Sequence, residues 1–232
     1  MSKILFVMTG ADHWTLNDGT EHPTGYWAEE AATPYRALRE AGHEITVATP
    51  GGTVPPVDRA SLGPDANGGA EQARELADTL AAMTELDHPL AIADVDLDDY
   101  DAVFYPGGHG PMEDLARDAD SGRLLVRALA SGKPLAVVCH GPAALLAATD
   151  PATGRNAFAG RRVAAFTDAE ETLAGLADRA PWLLQTRLTE AGLTVDPAAP
   201  WTPHVVVDGN LITGQNPSSS APLAEELLKR LG

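Results

Sequence analysis

The sequence predicts an α/β protein: a three-layer α/β/α sandwich on a mostly parallel, flavodoxin-like sheet. Two observations carry that prediction. Short apolar runs alternate with helix-patterned segments along the whole chain, the signature of strand–helix–strand units. Several of the runs are continuously apolar and β-branched, as strands covered on both faces must be.

The first candidate strand is ILFVM (4–8), inside an opening, MSKILFVMTGADHW, that turns polar and has no small-residue cleavage site. It reads as a strand and not as a secretory signal, so the cytoplasm is the expected compartment. A helix over 27–41 leads to EITVAT (44–49). The next stretch, 50–69, is rich in Pro, Gly and Asp and is expected to be an irregular surface excursion inside one domain spanning 1–232. A helix over 70–84 and an acidic, solvated turn precede AVFYP (102–106), and a helix over 112–131 precedes PLAVVC (134–139). Helices over 141–148, 170–178 and 180–191 surround a further strand, RVAAF (162–166). The closing runs HVVVD and NLITGQ are joined by Asp208-Gly209, a hairpin signal, and a helix over 221–231 ends the pattern.

Composition removes several function classes. With 232 residues and a formal charge of −17, the chain lacks the basic surface that binds nucleic acid or anionic membranes. No apolar run approaches the ~20 residues of a membrane helix. The single cysteine, Cys139, excludes an internal disulfide and any multi-thiolate metal site.

The chemistry gathers at two loops. In KPLAVVCHGPAALLAA (133–148) an apolar strand runs straight into Cys139, followed by His140, Gly141 and Pro142 and a helix-like segment. That is the layout of a nucleophile elbow, with a thiol at the carboxyl end of a central strand. The helix N-terminus is expected to lower the thiol pKa, and turn amides to receive a developing oxyanion. In DAVFYPGGHGPMEDL (101–115), Gly107 and Gly108 precede His109, a loop able to supply the other half of an oxyanion site. A structural cysteine and plain turn glycines are the bland alternatives.

Together these motifs resemble the ThiJ/PfpI superfamily. GYWAEEAATPYRALREAGHEITVATPGGTVPPVD (25–58), FTDAEETLAG (166–175) and TGQNPSSS (213–220) resemble its heat-shock chaperone and glyoxalase III branch. The resemblance implies Cys139 as nucleophile and His140 as its histidine. It implies Glu30, over adjacent Glu29, as an acid beside the thiol, and Glu171, over Glu170, as the acid orienting the histidine. From the residues alone both acid pairs read as ordinary helix N-terminal carboxylates. Gly107, Gly108, His109 and Gly141 are the candidate oxyanion and substrate-binding residues. The segment over about 174–203 is expected to cap the site. His13, His22, His43, His88 and His204 show no metal-ligand spacing, so no metal site is expected. The four tryptophans read as core or pocket walls, with Trp14 and Trp27 near Glu30.

The implied activity is that of a cofactor-independent lyase of the glyoxalase III type, acting on small α-oxoaldehydes through a hemithioacetal, with protein deglycation as a related reaction. A homodimer and a small carbonyl substrate are the expected partners. The alternatives are a cysteine hydrolase or hydratase (peptidase, amidase or isonitrile hydratase-like) and a holdase chaperone. A glutaminase is disfavoured because no HxE motif follows Cys139.

Overall fold

The computed structural model describes residues 1–232. Its main sheet is built from β1 (Lys3–Val7), β4 (Glu44–Thr49), β5 (Leu90–Ala91), β6 (Ala102–Tyr105), β7 (Leu135–Val138), β10 (Val205–Asp208) and β11 (Leu211–Gly214). The order is β10-β11-β7-β6-β1-β4-β5, parallel throughout except for the β10–β11 hairpin. Without the two end strands, β4-β1-β6-β7-β11 is the doubly wound order of a flavodoxin-like sheet. Chain direction across the sheet reverses between β1 and β6, the switch point at which such folds open a crevice above the strand ends.

Helices α1 (Ala28–Glu40), α2 (Ala70–Ala82), α3 (Gly110–Glu113), α4 (Ala119–Ser131), α5 (Asp168–Leu173), α6 (Leu184–Glu190) and α7 (Ser220–Leu231) cover the sheet. The central strands are buried at every position of β6 and β7, which is why their sequences are uninterrupted apolar runs. No helix is long and apolar enough to cross a membrane.

The structure departs from the sequence reading in particular places. RVAAF is a strand only at β8 (Arg162–Val163), which pairs with β9 (Thr194–Val195) outside the main sheet. The rest of that run is tied down singly, with Ala164 N–H donating to Thr213 Oγ1 and Phe166 N–H to the carbonyl of Cys139. The helix expected over 112–131 is two helices, the second begun by Asp118, whose carboxylate caps Ser121 N–H. A short hairpin, β2 (His13–Thr15) with β3 (Glu21–Pro23), carries no apolar run and was not predicted. The 50–69 excursion is irregular, yet it is not merely surface: Ser61, fully buried, accepts the Ala28 N–H at the start of α1.

Packing on the far side of the elbow is close enough to invert a propensity rule. Gly122 lies within α4, where alanine ordinarily stabilises by about 0.5–1 kcal/mol. A Cβ there would come within 2.3 Å of the Ala147 carbonyl oxygen, a backbone atom that cannot step aside. Gly122→Ala is therefore expected to destabilise by about 1–3 kcal/mol, read as a lowered Tm; a raised Tm would show that α4 is free to shift.

Candidate active site

β7 delivers Cys139 into a left-handed backbone conformation, φ +59°, a conformation that a side chain with a Cβ adopts only when its surroundings impose it. Here they do. Cys139 N–H donates to the Gly214 carbonyl of β11 at 2.9 Å, and its own carbonyl accepts from Phe166 N–H at 3.0 Å. The elbow thus exists, but it opens into a seven-residue 3-10 helix, Gly141–Ala147. The expected helix-dipole effect on the thiol is not what the structure provides. Burial and the charge of Glu30 push the Cys139 thiol up, and backbone N–H groups of Gly108 and His140 work against them.

Glu30 sits in the first turn of α1, fully buried. Its Oε2 accepts the Gly107 N–H at 2.7 Å, while Oε1 has no hydrogen-bond partner. Burial drives the carboxyl up to about 8, against the pull of the nearby Cys139 thiol and the Gly107 N–H. At neutral pH Glu30 is therefore a neutral acid beside the thiol, a proton donor of the kind catalysis uses. Glu29 is half-buried and lines a separate groove with Arg36, Gln72 and Glu75.

On the other side of the thiol, His140 Nδ1 lies 3.4 Å from Cys139 Sγ. Its Nε2 bonds Glu171 Oε2 at 2.7 Å, and His109 Nε2 bonds Glu171 Oε1 at 2.8 Å. Burial alone would raise the Glu171 carboxyl, but its pairing with His140 and the hydrogen bonds from both histidines outweigh it and hold it well below the usual carboxylate range. Burial, with the charge of His109, pushes His140 down despite Glu171. An ionised carboxylate can only accept, so the Nε2 protons point at Glu171. Neutral His140 then turns an unprotonated Nδ1 toward the thiol.

Glu170 does something else. Its Oε2 closes the capping box on Thr167, and its Oε1 accepts from Trp201 N–H and Asn216 Nδ2. It organises the start of α5 and does not touch His140.

Cys139, His140, Glu30, Glu171 and His109 are brought together; the assignments within the loops change. Gly107 spends its N–H on Glu30, so Gly108 and His140 are the amides that face sulfur. A Cβ at Gly107 would lie 2.7 Å from Glu30 Oε2, His140 N and the Val138 carbonyl. Gly141 packs against the Tyr105 and Pro106 carbonyls at the end of β6. His109, expected as a substrate or oxyanion residue, has its Nε2 committed to Glu171. His109, His140 and Glu171 hold ligand-type atoms within 4.8 Å of one another, a set suited by residue type to a metal, with those atoms here satisfying each other. Two residues were missed as site components, Phe166, whose ring meets His140 at 4.3 Å, and His22, 6.1 Å from His109, while Trp201, read as a core or pocket-wall residue, meets Phe166 at 5.6 Å. Trp14 stacks on His109 at 5.2 Å. No local pattern could have placed these rings, because their contacts are made between distant segments.

The chain that carries this site is similar to known proteins along nearly its whole length. The DJ-1/PfpI family model matches residues 24–230. The chain belongs to the DJ-1/PfpI family. Glyoxalase 3 of Candida albicans is 30% identical over 235 residues, covering 98% of both chains. The glutathione-independent glyoxalase HSP31 of Saccharomyces cerevisiae is 28% identical, over 94% of this chain and 93% of its own. The protein/nucleic acid deglycase HchA of Pseudomonas aeruginosa is 31% identical, over 99% of this chain and 80% of its own. Among solved structures, Candida albicans glyoxalase III superposes with a TM-score of 0.82 at 29% identity, over 99% and 97% of the two chains. The Francisella tularensis Rapid Encystment Protein 24 kDa superposes with a TM-score of 0.86 at 29% identity, over the whole of both chains.

The Glu30–Cys139 contact has a testable sign. Above about pH 8 Glu30 is ionised and its charge opposes the thiolate; Glu30→Gln removes that charge. The variant's iodoacetamide labelling of Cys139 should therefore rise at lower pH than the wild type's and run faster at pH 9. At pH 6, where Glu30 is protonated, the two rates should converge. An upward shift of the labelling midpoint would show that the carboxylate supports the thiolate.

Proposed function

We propose that this protein is a glutathione-independent, cofactor-independent glyoxalase, converting methylglyoxal or a similar small α-oxoaldehyde into the corresponding 2-hydroxy acid. The observation that carries this reading is the buried neutral acid of Glu30 on one side of Cys139 and the proton-accepting Nδ1 of His140 on the other. Relatives of the same length named as glyoxalases support it.

The steps follow from which group holds a proton. Cys139 sulfur attacks the aldehyde carbon as His140 takes the thiol proton and Glu30 gives its proton to the aldehyde oxygen, forming a hemithioacetal. Glu30, now a carboxylate, removes the hydrogen from that carbon. The electrons move onto the neighbouring carbonyl, whose oxygen receives the proton from His140 to give an enediol. Glu30 returns its proton to the second carbon and recovers one from the first oxygen, leaving a thioester of the hydroxy acid. Water then cleaves the thioester, adding hydroxide to carbon and a proton to sulfur. The sum is oxoaldehyde plus water to hydroxy acid, with no external redox partner.

Closure favours small substrates. Cys139 is 3% exposed, and the five principal cavities, of 230 to 760 Å³, are lined by neither Cys139, His140, Glu30 nor Glu171. A peptide needs a cleft leading to the nucleophile, so the peptidase alternative is the less favoured. Deglycation of a small adduct would share the first step. A cytoplasmic homodimer is the form we propose for the protein, on the strength of the family resemblance.

Purified protein is expected to turn methylglyoxal into lactate without added thiol, and Cys139→Ala to abolish this while the fold survives. Glu30→Gln should cost ~10²–10⁴-fold in kcat, with Cys139 still open to alkylation. Glu29→Gln, pointing into its separate groove, should change kcat by less than about threefold. Turnover that survives Cys139→Ala, or comparable losses in both glutamine variants, would overturn the mechanism.

A further inference from the structure

Two non-glycine residues have a left-handed backbone, and both belong to one neighbourhood: Cys139 and Trp201, φ +63°. The second is the less expected. Thr202 N–H returns to the Ala199 carbonyl at 3.3 Å, closing a four-residue turn with Pro200 and Trp201 at its centre. A positive φ in the second central position, after proline, is the place a type II turn gives to glycine or asparagine. A tryptophan there is strained, and strain of this kind persists where the surroundings fix it and a function uses it.

The surroundings are specific. Trp201 N–H donates to Glu170 Oε1 at 2.9 Å, and Asn216 Nδ2 donates both to that oxygen and to the Thr202 carbonyl. The buried Glu170 thus clamps the turn to the first turn of α5, which also carries Glu171. The indole meets Phe166 at 5.6 Å and 68°, and Phe166 lies against His140. Trp182, Trp14, His109, His140, Phe166 and Trp201 form one continuous series of ring contacts through the site. At its Phe166 end the series leaves the interior through Trp201, which is 47% exposed. An apolar ring held in strain and half uncovered, separated from His140 only by the Phe166 ring, suits a binding wall better than a core position.

We propose that Trp201 is a specificity-determining residue: it packs the aryl group of aryl-substituted α-oxoaldehydes whose aldehyde end reaches Cys139. Glu170 is the positioning residue that holds the wall in place. The proposal rests on the glyoxalase reading of Cys139. A ring on a ring adds an edge or stacking contact that the methyl group of methylglyoxal cannot make.

The test measures kcat and KM on methylglyoxal and phenylglyoxal, with Tm, for the full-length wild type, Trp201→Asn and Trp201→Phe. Asparagine accepts the left-handed backbone and removes the ring. In Trp201→Asn the phenylglyoxal-to-methylglyoxal ratio of kcat/KM is expected to fall about 5–10-fold, through the KM for phenylglyoxal, with Tm unchanged or raised. Trp201→Phe should recover most of the ratio. A ratio within twofold of wild type, or equal losses on both substrates through kcat, overturns the proposal while leaving the glyoxalase reading intact. A Tm lowered by several degrees with the ratio unmoved identifies the ring as structural and overturns it too. If the wild type consumes neither substrate, the glyoxalase reading fails and this inference falls with it.

Discussion

The structure depends on one strained residue. Cys139 holds a backbone conformation costing on the order of 1–3 kcal/mol, and the cost is borne by two backbone hydrogen bonds from different elements. The bond to Gly214 fixes the elbow to β11, so the closing hairpin is part of the site's frame. The bond from Phe166 fixes the segment that enters α5, and through Thr167 and its capping box it sets where Glu171 stands. Nucleophile and orienting acid are thereby placed by the two backbone groups of one residue, Cys139. Close approach does the rest: at Gly107 any side chain would collide with Glu30 and with the elbow backbone at once. The loop after β6, the start of α1 and the elbow can only coexist in one arrangement.

Three buried glutamates show how one residue type is given three roles by its donors. Glu30 has one backbone N–H and an unpartnered oxygen, and it answers burial by keeping its proton. Glu171 has two imidazole donors and stays ionised. Glu170 has donors on both oxygens, from Thr167, Trp201 and Asn216, and none of them is a histidine or thiol. The first can donate a proton, the second can support a charge on its neighbour, and the third can only hold structure. The number and kind of donors decide among them, not burial, because all three are inaccessible.

This is also where sequence reading reaches its limit. β6 and β7 were legible because both faces of each strand are covered and every position is buried and apolar, and β1 and β4 keep that pattern apart from polar positions such as Lys3, Glu44 and Thr46. β5 has two residues at an edge and left no pattern, and the β2–β3 hairpin is polar. RVAAF looked like a strand because its apolar side chains are buried, yet its backbone bonds go to a threonine hydroxyl and to the elbow, which no periodicity encodes. Cys139 could be read from its strand–turn context. Glu171 needed the family resemblance, since its i−1 neighbour is equally acidic and equally buried. The contact of His109 with Glu171 joins residues 62 positions apart, and local sequence says nothing about such a pair.

The loop exchange at Gly107 bears on how the site can open. Its N–H serves Glu30 and its carbonyl accepts the Trp27 N–H at 3.1 Å, so the glycine loop and the start of α1 are zipped on both sides of one residue. Opening the site there would expose two backbone groups and the Glu30 carboxyl together, losing the burial that keeps Glu30 protonated. The opposite wall is different in kind. The His22 ring and the Trp201 indole meet their neighbours through ring faces and edges, contacts that slide at little cost compared with broken buried hydrogen bonds. Movement of these two rings leaves the Glu30 contacts and the His109–Glu171 bond in place, whereas entry by the glycine side would break the bonds that hold Glu30. The acid that must begin the cycle protonated is thus protected by the same hydrogen bonds that close its side of the site.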